Sequence, residues 1–150
     1  MRYGVRSCLV LSWVVASIAG WANAAPPPGE CPQPRFTGKA PDEYYTRANP
    51  LAASAQDSAL AKRLFTTGER GNLSCATCHG EKGDGKGEMS EQFVPRPRNF
   101  TCAQTINGVP DGQLFWIIRF GSPGASMPPH PKYTDEQIWQ IVAYLRQLAR

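Results

Sequence analysis

Two thiols separated by two residues and followed at once by an imidazole make the run Cys75-Ala76-Thr77-Cys78-His79. Thiols at positions i and i+3 can add to the two vinyl groups of one haem, and the adjacent histidine then reaches the iron. The spacing predicts a single covalent haem c, with Cys75 and Cys78 as thioethers and His79 as the proximal ligand. A thiol redox pair is one rival, but such pairs sit beside a strand–helix unit, and no strand-like alternation surrounds this run. A structural zinc site is another, and it asks for four Cys or His ligands. His130 would complete that number, yet the glycines between Glu81 and Glu88 and the prolines around His130 make a poor zinc knuckle.

Haem iron then needs a sixth ligand, for which Met89, Met127 and His130 are available. Met89 follows His79 by only ten residues and would have to reach round the macrocycle. Met127 lies in the stiff stretch Gly121-Ser122-Pro123-Gly124-Ala125-Ser126-Met127-Pro128-Pro129, far enough along the chain to close the other face. Met127 is therefore the expected distal ligand, with His130 and an open site as alternatives. Methionine–histidine ligation favours ferrous iron and raises the reduction potential. Leu114, Ile118 and Trp139 are expected around the macrocycle, and Trp116, Arg98 and Tyr133 are candidate donors to its propionates.

Cys31 and Cys102 remain after Cys8, which lies in an N-terminal leader. Arg2 and Arg6 precede an apolar run from Leu9 to Ala19, and Ala22-Asn23-Ala24 fits a cleavage site, the layout of a secretory signal peptide. The apolar run is short for a membrane span, which takes roughly 20 residues; it would anchor the chain only if left uncleaved. Export to the periplasm is expected, an oxidising setting in which Cys31 and Cys102 would pair as a disulfide. Losing residues 1–24 removes two arginines and no acid, so 16 Lys+Arg against 12 Asp+Glu becomes 14 against 12, a net charge of +2. Those charges are interspersed, which gives no basis for nucleic-acid binding.

The remaining elements must position these groups. Residues 25–56 begin with closely spaced prolines and read as an extended arm, tied down by the Cys31–Cys102 bridge. A first helix is expected over 58–67, with Asp57 as N-cap and Gly68 as C-cap. A second is expected over 112–120, capped by Asp111, and a third from Thr134, whose pairing with Gln137 is a capping box. Ile138, Ile141, Val142, Leu145 and Leu148 then recur at helical spacing. The fold class is all-α, with domain limits at 1–24, 25–56 and 57–150.

Leu64-Phe65, Cys75-Ala76-Thr77-Cys78-His79-Gly80, Met127-Pro128 and Ile138-Trp139 through Tyr144-Leu145-Arg146 occur in an order that resembles the class I monohaem cytochromes c of bacteria. The resemblance covers residues 57–150 and implies short helices wrapped round one haem, the first and last crossing near its edge. It implies His79 as proximal and Met127 as distal ligand. It also implies a proline carbonyl, of Pro95 or Pro97, accepting a hydrogen bond from His79. Ala61 stands where the family often has glycine at the helix crossing, and Thr66 to Ser74 reads as a surface insertion. A periplasmic electron carrier that exchanges single electrons with a donor and an acceptor redox protein is implied. A dedicated subunit of a larger oxidoreductase and an open-site haem sensor or enzyme are the alternatives.

Overall fold

The computed structural model describes residue 1 and residues 27–34, 37–51, 57–69, 71 and 73–149. The expected leader, with its cleavage site and Cys8, lies outside the described residues apart from Met1. Six α-helices occur among the described residues: α1 (Asp42–Tyr45), α2 (Ser58–Thr67), α3 (Cys75–His79), α4 (Ala103–Ile106), α5 (Asp111–Phe120) and α6 (Asp135–Leu148). One 3-10 turn covers Ser90–Gln92, and no strand is present among these residues. The fold is all-α.

Helix α2 begins where the Asp57 carboxylate accepts hydrogen bonds from the Ala59 and Leu60 amides, both at 2.9 Å. It ends at Gly68, whose φ of 68° is open to glycine at little cost. Helix α6 starts with the reciprocal Thr134–Gln137 capping box. Packing α2 on α6 buries Ala61, Leu64 and Phe65 together with Ile138, Ile141, Val142 and Leu145. Ala61 is 1% exposed within this contact. Tyr133 locks the same contact, its hydroxyl donating to the Leu64 carbonyl at 3.3 Å.

Asp111 is not the cap of α5. It is the first helical residue, Pro110 holds the N-cap position, and no side chain caps the helix there. The Asp111 carboxylate instead accepts from Arg146 Nε at 2.8 Å and from the Asn49 amide at 3.3 Å. Arg146 also donates to the Ile106 carbonyl at 2.8 Å and to the Val109 carbonyl, fastening the turn before α5 to α6.

The arm is more ordered than its prolines suggest. Pro41 ends the proline run, and the next four residues turn into α1, which packs on α5. Gln113, fully buried, clasps the arm with both ends of its amide: it accepts from the Ala40 N–H at 2.7 Å and donates to the Gly38 carbonyl at 3.1 Å. Trp139 stacks on Phe115 with ring centroids 4.4 Å apart, and its carbonyl accepts from Asn49 Nδ2 at 2.9 Å. The segment from Thr66 to Ser74 is less of an insertion than its length implied, because Thr66 and Thr67 belong to α2. Ser74 closes it, donating to the Thr66 carbonyl at 2.6 Å while its oxygen caps α3 by accepting from the Ala76 N–H.

Candidate haem site

Helix α3 is one turn and a half of backbone carrying Cys75, Cys78 and His79, the two thiols expected to attach haem and the histidine expected to ligate it. The glycine-rich loop behind it folds back along the helix: Gly85 N–H donates to the His79 carbonyl at 2.8 Å, and Gly87 N–H to the Cys78 carbonyl at 3.2 Å. Gly87 is required by this approach. A Cβ there would stand 2.4 Å from the Thr77 carbonyl oxygen and 2.5 Å from the Cys78 carbonyl carbon.

On its other side α3 opens onto a cavity of ≈ 560 Å³, within the range of small-molecule and cofactor sites. Cys75, Cys78 and His79 line it, and so do Met127 and His130 from the loop before α6. Leu114 and Ile118 of α5 supply apolar wall. The loop is pinned from inside: Ser122 N–H donates to the Met127 carbonyl at 3.1 Å, and His130 N–H to the Ile118 carbonyl at 3.1 Å. Gly121, at φ 81°, lies so close that a Cβ would come within 2.9 Å of the Met127 oxygen.

His79 is buried and oriented. Its Nδ1 lies 2.9 Å from the Arg98 carbonyl oxygen. A carbonyl can only accept, so Nδ1 carries the proton and Nε2 keeps its lone pair for a metal. Burial lowers the ring's pKa to about 4, opposed in part by that hydrogen bond, so the imidazole is neutral near pH 7. The acceptor is neither Pro95 nor Pro97, and the proline reading is corrected to Arg98. The Pro97 carbonyl is taken by Gln33 Nε2 at 3.1 Å, and the next carbonyl along the chain meets the ring. Phe100 packs on the imidazole with centroids 4.5 Å apart.

Burial pushes the Cys75 thiol up to about 12 and raises that of Cys78. A redox-active pair needs the opposite, a stabilised thiolate, so the dithiol reading loses its chemistry. Among the described residues no cluster of three or more His, Cys, Asp or Glu side chains could hold a metal ion. The zinc reading therefore lacks its ligand set.

Other expectations separate at this cavity. Met89 does not line it; its N–H donates to the Thr77 carbonyl at the back of α3. Trp139 faces Phe115 and not the cavity, Trp116 packs against Phe120, and the Tyr133 hydroxyl is held by Leu64. Arg98 does line the cavity, while its guanidinium donates to the Pro34 carbonyl at 3.1 Å and more weakly to that of Gln33. Arg96, which sequence reasoning passed over, lines the cavity with a buried Nε that has no hydrogen-bond partner among the protein's groups. Its only sequence signal is the alternation Arg96-Pro97-Arg98, which carries no spacing rule. Cys31 and Cys102 lie with their sulfurs at bonding distance and Cα atoms 5.6 Å apart, joining the arm to the start of α4.

A helix with two thiols, a neutral histidine with one free nitrogen and a methionine loop thus meet at one cavity. The cytochrome c family model matches residues 58–149. The chain belongs to the cytochrome c family. Its cofactor is covalently bound haem c, and the residues fit that group: paired thiols beside a histidine ready to ligate, and a buried arginine donor suited to a propionate. This cytochrome matches no curated protein. Among solved structures it is similar to a chain of the reducing HAO-like protein complex of Kuenenia stuttgartiensis, at 22% identity and a TM-score of 0.55. The match covers 67% of this chain and 47% of that one, so this cytochrome spans about half the length of that chain. At that identity the likeness supports the fold alone.

Proposed function

We propose that this cytochrome is a periplasmic one-electron carrier holding a single haem c, attached at Cys75 and Cys78 and ligated by His79 and Met127. The observation that carries this reading is that α3 and the Met127 loop line the same cavity. The bound haem supplies a ferric–ferrous couple.

The chain's residues set how that couple is used. His79 presents Nε2 because Arg98 holds Nδ1–H. Met127 and His130 both line the cavity, and Met127 is favoured because the His130 ring packs toward Tyr133, centroids 5.9 Å apart. A thioether on one side and the apolar walls of Leu114 and Ile118 both disfavour added positive charge on the metal, so a fairly high potential is expected. With His79 and Met127 both holding the metal, no place would be left there for a substrate, and the group would exchange single electrons with partner redox proteins. The leader over residues 1–24 and the Cys31–Cys102 pairing support export.

A second reading, a dedicated subunit of an oxidoreductase, is favoured by the arm residues 37–51, which lie outside the family match and whose helix α1 packs on α5. Carbon monoxide added to the ferrous protein tests the carrier reading: an unchanged spectrum is expected, and a rapid carbonyl spectrum would mean an open site. Copurification with a larger subunit at moderate salt would favour the second reading.

A further inference from the structure

We propose that Gln33 in the arm is a positioning residue for His79, acting through the Arg98 carbonyl. Its primary amide spans Arg98 on both sides: Nε2 donates to the Pro97 carbonyl at 3.1 Å, and Oε1 accepts from the Asn99 N–H at 2.7 Å. Both bonds act like one extra strand rung, fixing the peptide planes that flank residue 98. The carbonyl between them receives His79 Nδ1–H at 2.9 Å.

Gln33 is itself held. Its N–H donates to Thr105 Oγ1 at 3.0 Å, two residues from the Cys31–Cys102 link. The Arg98 guanidinium reaches back to the Pro34 carbonyl at 3.1 Å, so the two segments grip each other. Asn99 adds a further tie, Nδ2 donating to the Gly29 carbonyl at 2.9 Å. The arm thus supplies the outer support for the histidine ring. A ring whose Nδ1–H is firmly held has a more basic Nε2, which bears on the electron affinity of the metal it ligates.

This inference rests on His79 being the proximal ligand, and the test separates the two. In the ferric holoprotein the His79 ring protons should carry the large paramagnetic shifts of an iron ligand. Their absence would overturn the ligation reading and this inference with it. Exchange of the His79 Nδ1 proton is then followed by NMR in the ferrous holoprotein. Gln33→Leu should speed exchange about tenfold, the loss expected when two ordinary hydrogen bonds no longer restrain one segment, and should move the midpoint potential. Asn49→Ala loosens the arm at its far end, where Asn49 holds the Trp139 carbonyl, and should change neither readout. If Gln33→Leu does not accumulate, Gln33→Glu keeps the acceptor for Asn99 but loses the donor to Pro97 and should still speed exchange. Unchanged exchange in the Gln33 variants, or equal acceleration in Asn49→Ala, would overturn the inference with the ligation reading intact.

Discussion

Gly112→Ala sets two effects against each other, and their magnitudes decide the sign. Gly112 is the second residue of α5, and a helix gains about 0.5–1 kcal/mol when alanine replaces an interior glycine. Here the added Cβ would fall 1.8 Å from the Tyr44 carbonyl oxygen, 2.9 Å from the Tyr44 carbonyl carbon and 3.0 Å from the Arg47 oxygen. All three are backbone atoms, so no rotamer change relieves the contact. Restoring ordinary contact, 3.4 Å or more, needs the arm to lift away by over an ångström and a half. That movement breaks the Gly112 N–H bond to the Arg47 carbonyl at 3.0 Å and pulls the Tyr44 ring from Phe115 and Phe120. One hydrogen bond is worth about 1 kcal/mol, and each aromatic contact roughly 0.5–1.5 kcal/mol. The loss, about 2–4 kcal/mol, exceeds the helix gain. Denaturant unfolding should therefore show Gly112→Ala destabilised by about 1–3 kcal/mol, with faster proteolysis across residues 37–51 and an unaltered visible spectrum. A variant as stable as the parent, or more so, would refute the claim that the arm is docked on α5.

Two further outcomes follow from the geometry. With the leader removed as proposed, the holoprotein should show no reactive thiol when unfolded without reductant, and the double change Cys31→Ser, Cys102→Ser should cost about 4 kcal/mol of stability, the chain-entropy value for a loop of this length; two titratable thiols in the parent would contradict the bridge. Met127→Ala should lower the reduction potential and let the ferrous protein bind carbon monoxide, and a variant with the parent's spectrum and potential would exclude Met127 as ligand.

Where local chemistry decides the structure, the sequence was readable. Asp57 and Gly68 bound α2 because a carboxylate can satisfy free amides and glycine tolerates a positive φ, and both depend on residues within a few positions. The Thr134–Gln137 box marked α6 for the same reason. The attachment run was legible because thioether spacing is set within five residues. Misplaced features depend on long-range partners. Asp111 had the chemistry of a cap, but Arg146, 35 residues later, claims its carboxylate. Trp139 had the bulk for a cofactor wall, yet Phe115 offered its ring a stacking partner elsewhere and Asn49 of the arm took its carbonyl. The acceptor for His79 is the Arg98 carbonyl and not a proline's, in a segment flanked by the long-range bond from Gln33, 64 residues earlier, to Pro97. No periodicity or motif reports such pairings.

Haem content of the mature protein tests the central claim most directly. A pyridine haemochrome assay combined with intact mass on the denatured protein should give one haem per chain, still attached, and the attachment should be lost in Cys75→Ala, Cys78→Ala. Haem that is extractable from the parent protein, or a mass without it and with two free thiols at Cys75 and Cys78, would contradict the account.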